Sequence, residues 1–254
     1  MASNAPQRCC YTGVKHEGEA KGRLEKVGGI ESYIAEPESK QTDTAVLLLT
    51  DILGHKFNNI QLIADRFAEN GYFVVMPDLF EGDPVPLNSM HDGEAIGKWF
   101  RSGGPSGGHT TVQVDPIVEA VIKGMKSHYN VKKIGSVGYC FGAKYVARYS
   151  APGKGIDVAA FAHPSFVDAE ELKAMAASLA IAAAETDHIF PPEKRRESED
   201  ILKEMKTPYQ MTLYSDVEHG FAVRADLNKP EVKFAKEAAF LQCVQWFDEF
   251  LKSK

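Results

Sequence analysis

From Ala45 onward, short apolar β-prone runs alternate with stretches of helical periodicity, and this alternation restricts the fold more than any other feature. AVLLLTD (45–51) reads as a buried strand, FNNIQLIADRFAENG (57–71) as a helix closed by a glycine cap, and YFVVMPD (72–78) as the next strand, together a βαβ unit. The pattern continues with a helix over 114–129, a strand over 133–139, a helix over 141–150 and strands over 157–163 and 178–185. A helix over 193–206, a strand over 209–215 and a long helix over 231–252 complete it. Strands separated by helices pair in parallel, because a parallel neighbour is reached only by a crossover of about a dozen residues or more. The expectation is one α/β domain over residues 1–254, with a mostly parallel central sheet flanked by helices. Upstream, RLEKVGGIESYIAE (23–36) reads as an antiparallel edge hairpin about Gly28 and Gly29, and residues 1–22 as an N-terminal extension.

A chain of 254 residues that is 44% hydrophobic fills one sizeable core. Its formal net charge of -6 offers no basic footprint for nucleic acid or for an acidic membrane surface. No segment approaches the roughly 18 apolar residues of a membrane span, and MASNAPQRCC lacks a signal-peptide core. LKSK at the other end is neither a prenylation box nor a peroxisomal signal. A cytoplasmic protein acting on a small molecule is expected. Cys9, Cys10, Cys140 and Cys243 form no disulfide framework, and neither C-x-x-C nor H-E-x-x-H occurs, so neither metal nor cofactor is expected. The Gly- and Pro-rich stretch over 81–108 is long for a connection and reads as a lid or as a surface excursion.

Gly138-Tyr139-Cys140-Phe141-Gly142 is a G-x-C-x-G motif between a strand and a helix, the context of a nucleophile elbow. A residue on such a turn projects its side chain out of the sheet, and the flanking glycines let strand and helix approach. The thiol then stands at a helix N-terminus, which favours the thiolate, with the Phe141 N–H facing the place where an oxyanion forms. Nucleophile, acid and histidine follow in this order in such folds. Asp187, after the strand at 178–185, and His219, after the strand at 209–215, match it. Asp216 is a weaker acid candidate, sharing a short loop with His219, and His188 points elsewhere. His16, His91, His109 and His128 read as surface residues. His55 and His163 lie at the active edge, and His163 is a candidate for the substrate pocket.

The elbow GYCFG, TDHIFPP around Asp187, EHGFAVR around His219 and LTDILG (49–54) resemble the dienelactone hydrolase family, the cysteine branch of the α/β-hydrolases. The resemblance runs from about Ala45 to the last helix, and CCYTGVKHEGEAKG looks like the start of fungal members. It implies an α/β-hydrolase fold, a Cys140–His219–Asp187 triad and hydrolysis of a lactone or ester through an acyl-enzyme. It further implies that the Ile52 N–H completes the oxyanion hole and that Asp51 gates the thiol. Bacterial members carry Glu at the Asp51 position and an arginine, which holds the substrate carboxylate, where this chain has Val223 followed by Arg224. In an extended segment a one-residue shift turns the side chain away. Arg224 therefore reads as a solvated charge, the alternative being a displaced pocket cation, as Lys98 or Arg101 would also be. The alternative functions are hydrolysis or editing of a polyketide-type thioester, and ligand binding without turnover. The expected partners are a lactone or ester and a second copy of the chain in a homodimer, with no nucleic acid and no membrane.

Overall fold

The computed structural model describes residues 2–89 and 93–252, so the surface reading of His91 lies outside the described residues. β1 (Arg23–Val27) and β2 (Ile30–Ala35) form the expected hairpin, turning through Gly28 and Gly29 at φ +59° and +88°. β3 (Thr44–Leu49), α1 (Asn58–Glu69) and β4 (Phe73–Pro77) make the first βαβ unit. After α2 (Gly93–Ser102) come α3 (Thr111–His128), β5 (Lys133–Tyr139), α4 (Gly142–Tyr149) and β6 (Val158–Ala162). α5 (Ala169–Lys173), β7 (Ser178–Thr186), α6 (Pro192–Glu204), β8 (Tyr209–Glu218), α7 (Phe221–Arg224) and α8 (Pro230–Phe247) follow.

The eight strands form one sheet in the order β1-β2-β4-β3-β5-β6-β7-β8, antiparallel at β1–β2–β4 and parallel from β4 to β8. The chain leaves β3 for β4 on one side and returns through α3 to β5 on the other. The ends of β3 and β5 therefore flank a topological switch point, the place in an open α/β sheet where ligands bind. Strand residues alternate between two cores, as helices on both faces require. Leu47, Leu49, Val75 and Phe161 pack toward α3, α4 and α6, while Val46, Leu48, Val74 and Ala160 pack toward α1 and α8. Each such buried Leu, Val or Phe contributes roughly 1.5–3 kcal/mol.

Three local differences from the sequence reading have physical causes. α3 starts at Thr111 rather than at 114, because Thr110 Oγ1 accepts the Val112 N–H while Gln113 Oε1 accepts the Thr110 N–H, a capping box ahead of the apolar run. The stretch over 81–108 carries α2, held by a hydrogen bond from Trp99 Nε1 to the Asp83 carbonyl and by the Trp99 ring against Phe80. The surface reading of His109 is corrected: it is buried, its Nε2 lies 3.0 Å from Asp83 Oδ2, and its ring packs on Trp99. His16 is half-buried, donating from Nε2 to the Ala225 carbonyl at 2.8 Å, whereas His128 is exposed.

The two elbow glycines are required by close approach. A Cβ on Gly142 would stand 2.1 Å from the Leu49 carbonyl oxygen, and one on Gly138 would stand 2.6 Å from the Ala143 backbone. Both obstacles are backbone, which has no rotamer with which to yield. Gly142→Ala is therefore expected to destabilise the fold by about 1–3 kcal/mol or more, the usual cost of overpacking a tight site. Urea unfolding checks this as a lower midpoint at unchanged slope.

Candidate active site

Cys140 follows β5 at φ +50°, a left-handed conformation rare for a residue with a Cβ. Its N–H donates to the Ala162 carbonyl at 3.1 Å and its carbonyl accepts from the Ser165 N–H at 3.0 Å, so β6 and the loop after it hold the turn. Asp187 and His219 are brought together by strand register. β7 and β8 pair in parallel past an irregularity to Thr186 opposite Glu218, and the next residue on each chain is Asp187 and His219. Between Ala184 and Thr186 there is one residue on β7, whereas the matching stretch from Tyr214 to Glu218 holds three, with Asp216 at φ +58°. Asp216 is thus an exposed bulge residue of β8 rather than a loop partner of His219, its N–H donating to Glu185 Oε2.

His219 Nδ1 lies 2.9 Å from Asp187 Oδ2, and the other carboxylate oxygen accepts the N–H groups of Ile189 and Phe190 at 2.8 and 3.0 Å. Donation from Nδ1 to the carboxylate leaves Nε2 for the sulfurs: Cys10 Sγ is 3.5 Å away, and Cys10, Cys140 and His219 all place a ligand atom within 4.8 Å of one another. Ser165 Oγ and Cys10 Sγ each lie 3.5 Å from Cys140 Sγ. Burial alone pushes the Cys140 thiol up, but the hydrogen bond from Cys10, the charge of His219 and the contacts with His163 and His219 more than offset it and hold the thiol well below its ordinary range. Burial likewise lowers His219, yet the charges of Asp187 and Cys140 raise it to about 10. Both shifts favour the charged pair, thiolate and imidazolium, over the neutral one. Cys10 is pushed the other way, raised well above the usual value by burial and by the neighbouring sulfurs.

Asp51 and Ile52 occupy the turn after β3, where Asp51 Oδ1 accepts the Leu53 N–H at 3.1 Å. Burial raises Asp51 to about 6; Arg224 pulls it down and Cys140 pushes it up. The surface reading of Arg224 is corrected. Arg224 is 2% exposed, pairs through Nη1 with Asp51 Oδ2, and donates from Nε and Nη2 to the carbonyls of Thr12 and Cys9 at 3.0 and 2.9 Å. Side chains do not alternate faces here, because Phe221–Arg224 is a helical turn rather than an extended segment. Arg224 folds back over Gly220, where a Cβ would meet its guanidinium carbon at 2.4 Å. Lys98 and Arg101 are exposed on α2.

The same arginine ties down the N-terminal segment, which lies across the site. Asn88 accepts the Gly13 N–H and donates its own N–H to the Tyr11 carbonyl, pinning the segment from the other side. Cys140, Phe141 and Ile52 are fully buried beneath it. A groove lined by Cys9, Thr12, Val14, His219, Phe221 and Val232 runs along its edge. His163 is buried at φ +39° with its ring edge-on to His219, and neither ring nitrogen has a hydrogen bond of ordinary geometry. Burial lowers it to about 4, so it stands neutral beside the sulfur. His55 is engaged elsewhere, with Glu31 at 3.1 Å and Asp78 at 3.6 Å, and Lys56 balances Glu31 at 2.6 Å. Among the described residues no helix is long and apolar enough to cross a membrane. Sequence reasoning missed Cys10 and Ser165 as neighbours of the sulfur; no local pattern marks either.

The family model of the dienelactone hydrolases matches residues 30–251. The chain is 55% identical over 257 residues to hydrolase tropI of Talaromyces stipitatus, covering all of both chains. It is 50% identical over 252 residues to hydrolase pyvD of Aspergillus violaceofuscus, covering 99% of this chain and all of that one. A solved Klebsiella pneumoniae protein assigned as a dienelactone hydrolase superposes with a TM-score of 0.72 at 17% identity, over 94% of this chain and 97% of that one, a likeness of fold.

The Asp51–Arg224 pair is buried on both sides, so removing one partner strands the other charge. Arg224→Ala is expected to cost about 3–5 kcal/mol of stability. The double variant Asp51→Asn/Arg224→Ala should lose less than the sum of the two singles, and a double-mutant cycle in urea measures the difference.

Proposed function

The chain belongs to the dienelactone hydrolase family and is a hydrolase of lactone or ester bonds, and we propose that it works through Cys140 as nucleophile, His219 as acid and base, and Asp187 as the orienting carboxylate. The observation that carries this reading is the 2.9 Å contact between Asp187 Oδ2 and His219 Nδ1, which leaves Nε2 to the sulfurs, 3.5 Å from Cys10 Sγ and within 4.8 Å of Cys140 Sγ. The Cys140 thiolate attacks the substrate carbonyl carbon, and the oxyanion that develops takes hydrogen bonds from the main-chain N–H groups of Ile52 and Phe141. Phe141 stands ahead of the first turn of α4, where amides have no partner within the helix. One well-placed donor of this kind contributes about 3–4 kcal/mol to the transition state.

Collapse of the tetrahedral species breaks the acyl–oxygen bond, and the imidazolium gives its proton to the departing alkoxide. A lactone opens at this step with its alcohol still tethered to the acyl group. His219, now neutral, takes a proton from water as the water attacks the thioester, and Cys140 departs as thiolate. Asp51 gates the resting thiol: raised to about 6 and next to the sulfur in charge, it is tuned by how strongly Arg224 holds it. Arg224 already spends three N–H groups on Asp51, Cys9 and Thr12, so an anionic substrate would have to displace these partners. A neutral lactone or ester is therefore the substrate class we assign, with His163 as an uncharged wall of the pocket. Access to the sulfur requires the N-terminal segment to move aside.

His219→Ala and Asp187→Asn are each expected to lower turnover of a neutral aryl ester on the order of a thousandfold or more, and the double variant little further, because the residues act as one unit. Asp216→Asn is expected to behave as the unaltered protein. Steady-state kinetics on the four variants and the unaltered protein decides it: an active Asp187→Asn with a dead Asp216→Asn would move the acid.

A further inference from the structure

Cys10 is separated from Cys140 by 130 residues, and the hydrolytic reading gives its sulfur no role. We propose that Cys10 Sγ, Cys140 Sγ and His219 Nε2 form a binding site for Zn²⁺, which closes the active site when occupied. Tetrahedral zinc with Zn–S near 2.3 Å and Zn–N near 2.0–2.1 Å sets its ligand atoms about 3.5–3.8 Å apart. Cys10 Sγ lies 3.5 Å from Cys140 Sγ and 3.5 Å from His219 Nε2, and the three atoms fall within 4.8 Å of one another. The spacing thus needs only small side-chain shifts to admit the ion.

Three further features suit zinc. The nitrogen offered is the one opposite Nδ1, and Nδ1 donates to Asp187, the carboxylate–histidine arrangement that orients an imidazole ligand. Two sulfurs and an imidazole select a soft or borderline cation over Mg²⁺ or Ca²⁺, which require oxygen donors. The three residues are buried, and two thiolates neutralise the dication there. Binding displaces two protons, one from the Cys10 thiol and the one shared by Cys140 and His219. Water fills the fourth position, as in sites with three protein ligands. The bound ion takes the sulfur and the ring nitrogen that hydrolysis uses, and through Cys10 it locks the N-terminal segment across the site.

Binding stands on the cluster alone, whereas inhibition rests on the reading of Cys140 as nucleophile, and the test separates them. The reduced full-length protein is given one equivalent of ZnCl₂ under argon, desalted and analysed for metal, and a parallel Co²⁺ sample is read by absorption. The expected result is one zinc per chain, a thiolate-to-cobalt charge-transfer band with tetrahedral ligand-field bands, and ester hydrolysis lost on loading and restored by a chelator. Cys10→Ser should lower zinc affinity about a hundredfold, since one of three protein ligands is lost. Cys9→Ser should leave it unchanged. Zinc that washes off the unaltered protein, or a cobalt form without the thiolate band, overturns the site whether or not Cys10→Ser folds; so does a folded Cys10→Ser that binds as tightly. One zinc held in a Cys10-dependent way by a protein that still hydrolyses ester establishes the site and removes Cys140 as nucleophile.

Discussion

The contact between the Gly142 Cα and the Leu49 carbonyl governs the site. It seats the start of α4 directly on the end of β3, leaving two residues, Cys140 and Phe141, to turn the chain, with Cys140 at φ +50°. Backbone strain of this kind, of order 1–3 kcal/mol, persists only where the surroundings enforce it. Here the pairing of β5 with β3 and β6, and the hydrogen bond from Cys140 to Ala162, do so. Because β3 is the neighbour of β5, the same packing brings the Asp51–Ile52 turn beside the sulfur.

On this scaffold five buried ionisable groups follow one another, Asp187, His219, Cys140, Asp51 and Arg224, and at the one meeting of like charges Cys140 pushes Asp51 up while Arg224 pulls it down. Each is desolvated, and each is stabilised by neighbours of opposite charge or by hydrogen bonds to backbone. The chain of charges ends on the N-terminal segment, since Arg224 donates to Thr12 and Cys9. Displacing that segment would expose the sulfur and loosen the grip of Arg224 on Asp51 together, so under the proposed role of Asp51 entry to the site and the charge state of its thiol would be linked.

Much of this was legible in the sequence. The parallel sheet followed from strand and helix alternation, and the elbow from glycines whose missing Cβ atoms the packing demands. The order Cys140, Asp187, His219 was legible because parallel strands deliver their C-terminal ends to one edge. What escaped depended on contacts that leave no local trace. Arg224 was read as solvated because the segment after His219 was treated as extended, whereas Gly220 at φ +91° starts a helical turn that swings the guanidinium inward. Buried His109 was hidden because its partner Asp83 lies 26 residues away. Cys10 reaches Cys140 and His219 through a segment with no regular period, held by carbonyls that any sequence supplies.

The central claim is that hydrolysis proceeds through a thioester on Cys140. Rapid acid quench of the enzyme during turnover of a neutral lactone, followed by peptide mass mapping, tests it most directly. The account predicts a peptide containing Cys140 heavier by the whole mass of the lactone, because ring opening leaves the alcohol attached. An adduct on any other residue, or undiminished turnover by Cys140→Ala, would contradict it.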